Sequence, residues 1–236
     1  MYSLDYKVTV SMCDENGRLK LFSALQMMQD CSELWKTSEP EYDRYFTENG
    51  MAQLLASRQV EVLRVPEYKE NLTVTTSVFD ITPMFGYRNT FIYDGQHRPC
   101  YRSWSMGAFV KLDTGRLNKL SDELVVGFKR EPKLEMNYLD RRIIVPKINV
   151  SSTTAYAVQH NDIDYNHHMN NANYIRLALE LLPAGFVVRN MRVEFKKPAK
   201  LTDELALDVV NQSDDTIFVV ERLGSEVSTI IEFKKN

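Results

Sequence analysis

The feature that most restricts what this chain can fold into is an internal repeat. Val60-Glu61-Val62-Leu63-Arg64 lies over Val193-Glu194-Phe195-Lys196-Lys197. Continuing without a gap, Glu70 meets Asp203, Leu72 meets Leu205 and Val74 meets Leu207, while Pro66 and Pro198 fall one position apart. So short a match carries weight because the same order of elements surrounds both copies. β-branched and aromatic enrichment with polar alternation marks the strands. The first half reads as a strand over 5–12, a helix over about 19–36, and strands near 56–64, 71–80, 86–94 and 100–112. The second reads as a strand over 151–160, a helix over about 171–182, and strands near 188–196, 204–211, 215–222 and 227–234.

The two helices share a pattern. In the second, Asn173, Arg176 and Glu180 make a narrow polar stripe; in the first it is Ser23, Gln26, Asp30 and Glu33. Nearly everything else is apolar, so each helix is expected to bury most of its surface against a sheet wrapped around it. Asn170 or Asn171 is an N-cap, and Pro183 with Gly185 stops the helix. From Asp14 to Val60 is 46 residues, but from Asp162 to Val193 only 31. The first half thus carries about 15 extra residues around Thr37–Gln53. Such an excursion either covers a pocket or decorates the surface. Residues 119–149, charged and holding Pro132 and Pro146, read as a crossing linker.

Composition removes several classes of function. Lys plus Arg number 29 against 32 for Asp plus Glu, a net charge of −3, so no global basic field awaits nucleic acid. Hydrophobic residues at 44% allow a core of ordinary size. Cys13, Cys31 and Cys100 are odd in number and form no CxxC pair, which argues against a disulfide framework and for a reducing, cytoplasmic compartment. The N-terminus lacks the pattern of a signal peptide, and no apolar run is long enough to span a membrane.

The stretch richest in chemistry runs from His160 to Asn171 and holds three of the four histidines. It lies between a strand and a buried helix, where free backbone N–H groups and the helix dipole favour negative charge. Asp164, Asn166 and His168 alternate, so in an extended loop they share one side. A carboxylate base, an amide donor and an imidazole can activate water and hold a tetrahedral oxyanion. The same residue types also serve as ordinary caps and turns. A metal site lacks a second, distant ligand set. Neither a G-x-S-x-G elbow nor a base beside Cys100 supports a serine or cysteine hydrolase.

Asp162-Ile163-Asp164-Tyr165-Asn166-His167-His168-Met169-Asn170-Asn171-Ala172-Asn173-Tyr174 resembles the D-x-D-x-N-x-H-x-N-N-x-x-Y signature of acyl-acyl carrier protein thioesterases of the plant-plastid and bacterial type. The tryptophan-led strand and basic turn from Trp104 to Leu120 are similar to that family too, and the resemblance covers nearly the whole chain. It implies an α+β fold of two tandem hot dogs, each a long helix wrapped by an antiparallel sheet. Residues 1–118 would form an N-terminal hot dog with a degenerate site, 119–149 the linker, and 150–236 a C-terminal hot dog with the catalytic motif. It further implies hydrolysis of acyl-acyl carrier protein in fatty acid biosynthesis, with Asp164, Asn166 and His168 as catalytic residues. The family's Glu-Cys pair falls on Pro198-Ala199, so those roles do not transfer. In related single-hot-dog thioesterases the Asp matching Asp164 is itself base or nucleophile.

The matching turn in the first half, Cys13-Asp14-Glu15-Asn16-Gly17-Arg18-Leu19, keeps an Asp and is read as lacking Asn-x-His, so one working site is expected. The degenerate half would supply the acyl pocket, with Met27, Met28, Met84, Phe85, Trp104, Met106 and Phe109 as wall candidates; plain core packing explains the same residues. Arg189, Arg192, Lys196, Lys197 and Lys200 form a basic cluster, extended by Arg141, Arg142 and Lys147, suited to steering an acidic carrier protein that bears a phosphopantetheine acyl thioester. A solvated strand face explains it as well. No metal or organic cofactor is implied, because a thioester is already activated. Acyl-coenzyme A hydrolysis, a non-catalytic acyl-binding protein and pairing into a homodimer stay open.

Overall fold

A computed structural model describes residues 1–235. The chain forms two compact units, one from 1–56 and 62–138, the other from 57–61 and 139 onward. Each repeats one plan. In the first unit β1 (Tyr2–Lys7) leads through a 3-10 turn to α1 (Leu21–Leu34), a second helix α2 (Pro40–Glu48), and strands β2 (Met51–Val62), β3 (Asn71–Ile81), β4 (Phe85–Asp94) and β5 (Pro99–Lys111), with a short α3 (Asp122–Gly127) after them. In the second, β6 (Ser152–Ala157), a 3-10 turn and α4 (Asn171–Leu179) precede β7 (Asn190–Phe195), β8 (Glu204–Ser213), β9 (Thr216–Leu223) and β10 (Glu226–Lys234). All pairings described are antiparallel: β1-β3-β4-β5 in the first unit, β7-β10-β9-β8-β6 in the second, where Ser57–Glu61 of β2 also pairs with β7.

The repeat extends to single hydrogen bonds. Tyr2 faces Thr76 and Ser152 faces Val209, so equivalent residues differ by 150 before the helix and by 133 after it. The excursion in the first half is therefore 17 residues, not about 15; the sequence spacing started from Asp162, whereas the residue equivalent to Asp14 is Asp164. Val8 N–H bonds Glu70 O at 2.9 Å, and Val158 N–H bonds Asp203 O at 2.9 Å. Leu19 N–H bonds Pro66 O, and Met169 N–H bonds Ala199 O, both at 2.8 Å.

The helices stop sooner than their apolar patterns. α4 is capped by Asn170, whose side-chain oxygen accepts Ala172 N–H at 3.0 Å. It ends at Leu179, before Pro183 removes the next donor. The excursion of the first unit folds as α2, with Pro40 at its start and Glu41 and Asp43 in the first turn, where the dipole favours them. Tyr42 and Phe46 on α2 join Trp35, Met51, Val78, Ile81, Phe109 and Leu120 in one buried cluster. Each such side chain stabilises by about 1.5–3 kcal/mol. The excursion is thus part of the core of its unit. The linker residues also pack: Tyr138 donates to Asn89 Oδ1 at 2.9 Å in the first unit, and Ile143 is buried against Val210, Phe218, Val220 and Ile230 in the second.

Candidate active site

The segment between β6 and α4 is a tight turn rather than an extended loop. Asp164 N–H bonds His168 O at 2.9 Å, His167 N–H bonds Asp164 O at 3.0 Å, and Ile163 bridges Met169. Asp164 Oδ1 accepts Asn166 N–H at 2.9 Å, an Asx turn. His167 takes the left-handed region at φ 61°, a conformation that costs a β-carbon residue about 1 kcal/mol. Strand alternation therefore does not put Asp164, Asn166 and His168 on one side. The turn instead folds residue 168 back beside residue 164. The side chains of Asn166 and His168 make no hydrogen bond with any described residue, so their polar ends are uncommitted.

The first residue of the motif does something different. Asp162 is buried, and its carboxylate accepts from Tyr156 Oη at 2.7 Å, Arg176 Nη2 at 2.9 Å and Gln159 N–H at 2.9 Å. Its backbone oxygen accepts Asn170 N–H at 2.8 Å and Asn173 Nδ2 at 3.1 Å. Asn173 and Arg176 of the polar stripe are thus turned onto Asp162. The sequence reading assigned no role to Asp162, Arg176 or Tyr156; the double Asp of the motif and the stripe were the available signals.

The first unit copies the turn closely. Asp14 N–H bonds Arg18 O at 2.8 Å, Asp14 Oδ1 accepts Asn16 N–H and Arg18 N–H at 2.9 Å, and Gly17 has φ 73°. Asn16 stands where Asn166 stands. The first turn therefore keeps Asp-x-Asn but ends in Arg18 where the second has His168, so it lacks Asn-x-His.

Around Pro198-Ala199, Ala199 is buried and its N–H bonds Tyr174 Oη at 2.7 Å, while its oxygen receives Met169 N–H. Pro198-Ala199 is thus next to the turn and carries no acid or thiol. Glu194 is engaged elsewhere, accepting Ile143 N–H at 3.1 Å and pairing with Lys196 at 2.8 Å. Behind Tyr174 lies Glu221, fully buried, with no hydrogen-bond partner for either carboxyl oxygen. Burial pushes its pKa well up. The equivalent residue of the first unit is Ile92, since Glu221 faces Leu207 as Ile92 faces Val74.

The pocket candidates do not form one wall. Met27 and Met28 are buried on α1, and Phe109 faces α2 through Phe46. Trp104 and Met106 lie on the opposite face of β5, where Trp104 meets Tyr138 at 5.8 Å. Met84 and Phe85, at the start of β4, are half-buried. The helix-facing side also holds Arg88, which donates to Thr76 Oγ1 at 3.2 Å and lies 4.1 Å over the Trp35 ring. Burial lowers its pKa to about 10, so it is still cationic at neutral pH.

The basic cluster is largely neutralised. Arg192 pairs with Glu232 at 2.5 Å, Lys196 with Glu194, and Lys197 with Glu226. Arg189 and Lys200 are exposed and make no ion pair with described residues. The Cys31 thiol is pushed up to about 11, chiefly by burial, and burial raises that of Cys100 too. Among the described residues, no three His, Cys, Asp or Glu side chains gather as a metal site would require, and no helix is long and apolar enough to cross a membrane.

Comparison with known proteins agrees with this architecture. Residues 1–128 match the family model of the acyl-ACP thioesterase N-terminal domain, and residues 146–231 that of the C-terminal domain. The fold is that of a Bacteroides thetaiotaomicron acyl-ACP thioesterase, with a TM-score of 0.86 and 21% identity over 98% of this chain and 96% of that one. A 12:0-ACP thioesterase from Umbellularia californica gives a TM-score of 0.84 and 12% identity over 99% and 96%. A search of curated proteins finds no significant match. The fold is thus two tandem hot dogs, a class in which a sheet wraps a buried helix. The chain belongs to the acyl-ACP thioesterase family of thioester hydrolases.

Proposed function

We propose that this protein hydrolyses acyl-acyl carrier protein to a free fatty acid and the carrier thiol, in the cytoplasm, as a step of fatty acid biosynthesis. The observation that carries the reading is the Asp164–His168 turn, where a half-buried carboxylate sits beside an amide and an imidazole with no other hydrogen-bonding duty. Asp164 takes a proton from water as the water oxygen attacks the thioester carbonyl carbon. Asn166 and His168 orient the water and stabilise the oxyanion. Collapse of the tetrahedral intermediate breaks the C–S bond, and the proton held by Asp164 passes to the leaving thiolate, restoring the carboxylate. The second hot dog carries this chemistry.

Cysteine takes no part in this scheme. Thiolates attack, and burial holds the Cys31 and Cys100 thiols in the neutral form. Changing Cys13, Cys31 and Cys100 together to Ser is expected to keep activity within about tenfold, equivalent to ~1.4 kcal/mol in barrier. An acyl-cysteine trapped during turnover would refute direct attack by water.

Thiol release from acyl-carrier-protein and acyl-coenzyme A substrates of several chain lengths tests the assignment. Higher kcat/KM with the carrier protein supports it. Preference for coenzyme A would make the protein an acyl-coenzyme A hydrolase, and acyl binding without thiol release would make it an acyl-binding protein.

A further inference from the structure

We infer that Asp162, gripped by Arg176 and Tyr156, is a positioning residue that sets the Asp164–His168 turn for hydrolysis, an inference that rests on the hydrolytic reading of that turn. The carboxylate is 3% exposed and receives three hydrogen bonds, from β6 through Tyr156, from α4 through Arg176 and from the 3-10 turn through Gln159 N–H. Arg176 is held in turn by Asn173 Oδ1 at 3.3 Å and lies over the Tyr156 ring. One charge-assisted network therefore joins the strand before the turn to the helix after it.

The turn does not need this network in order to form. In the first unit Met12 replaces Asp162, and its backbone oxygen still accepts Lys20 N–H at 2.9 Å, as Asp162 O accepts Asn170 N–H. Gln26 replaces Arg176 and Ser23 replaces Asn173, while Tyr6 keeps the place of Tyr156. The two turns share backbone geometry, and only the one with an imidazole is clamped. Burying a carboxylate is costly unless it is paired, and an apolar residue builds the same turn without that cost. What the clamp adds is restraint on where Asp164 and His168 sit relative to α4, and a displacement near 1 Å at reacting groups can cost about a hundredfold in rate.

The test is steady-state kinetics of the full chain on one acyl thioester, with Arg176→Gln, Arg176→Lys, Asp162→Asn and Asp164→Asn compared at a temperature where each is folded by circular dichroism. Arg176→Gln, which installs the first unit's residue, is expected to lower kcat about tenfold with KM within about twofold. Arg176→Lys should recover most of kcat. Asp162→Asn should lose more than Arg176→Gln; if it does not fold, the Arg176 pair decides, since that guanidinium side chain is one-third exposed. A folded Arg176→Gln with kcat within twofold of wild type would overturn the inference and leave the clamp purely structural. If Asp164→Asn also retains full turnover, the hydrolytic reading of the turn fails and the inference falls with it. If Asp164→Asn is inactive while Arg176→Gln is not, only the positioning role is lost.

Discussion

Both turns close with the same hydrogen bond, from Asp14 N–H to Arg18 O at 2.8 Å and from Asp164 N–H to His168 O at 2.9 Å, and both place a residue in the left-handed region behind it. Their surroundings then diverge. The first turn uses Gly17 at that position, ends in Arg18 and sits on Met12. The second bears the strain of His167, ends in His168 and sits on a clamped carboxylate. Deeper in, Ile92 fills in the first unit the position that Glu221 occupies in the second. The first hot dog carries no strain, buried acid or ion pair at these positions. The second carries a strained His, a buried ion pair and an unpartnered acid, features that lower stability and that concentrate at functional sites.

The largest effect is expected from exchanging the two aspartates in parallel. Asp164→Asn should lower turnover by a hundredfold or more, roughly the range of general base catalysis. Asp14→Asn should leave turnover unchanged. Each substitution disturbs one Asx turn, so thermal melts of the two variants should shift similarly, by about 1 kcal/mol. Equal and small effects on activity would reduce both residues to turn formers.

Next comes the imidazole. His168→Arg copies the first turn into the second and should cost roughly a hundredfold in kcat. Adding Arg18→His to that variant should not restore activity, because the first turn lacks the Asp162 clamp. Recovery of turnover in the double variant would show that the turn sequence alone defines a site.

Glu221 tests the comparison through stability. A buried carboxyl with a raised pKa keeps its proton in the folded state while the unfolded chain releases it near pH 4.5. Wild-type stability should therefore fall as pH rises above about 4.5, until the folded-state carboxyl itself ionises. Glu221→Ile, which installs the residue of the first unit, should flatten that slope and raise stability at pH 7 by about 1–3 kcal/mol, read by urea melts from pH 4 to 8. A destabilised variant with an unchanged pH slope would contradict the burial argument.

The smallest effect concerns the basic cluster. With Arg192, Lys196 and Lys197 already paired, Arg189→Ala with Lys200→Ala should weaken kcat/KM for a carrier-protein substrate by only a few-fold at low salt, and leave a small acyl thioester unaffected. Equal loss for both substrates would remove the steering role.

Local pattern carried much of this molecule. Alternation in Leu72–Val78 and Leu205–Val210 and the apolar helices marked strand and helix order, because backbone periodicity is written directly in side-chain polarity. The D-x-D-x-N-x-H run marked the turn, since capping and turn chemistry are also local. The register of the repeat before the helix was less legible: starting from Asp162 in place of Asp164 miscounted the excursion. The offset of 133 after the helix was legible in the repeat, but only the paired strands supply the offset of 150 before it.

What tertiary structure alone decided was which charges meet. Nothing in a one-dimensional pattern says that Arg176 turns onto Asp162, that Lys196 is spent on Glu194, or that Trp104 packs against Tyr138 while Phe109 meets Phe46. The sequence by itself determined the repeated order of strands and helices and the place of the polar segment between β6 and α4, because those rest on periodicities and capping chemistry spanning a few residues; the two hot dogs were implied only by the family resemblance. Partners for buried charge and the lining of an interior depend on contacts between residues far apart in the chain, where distance and desolvation set the outcome.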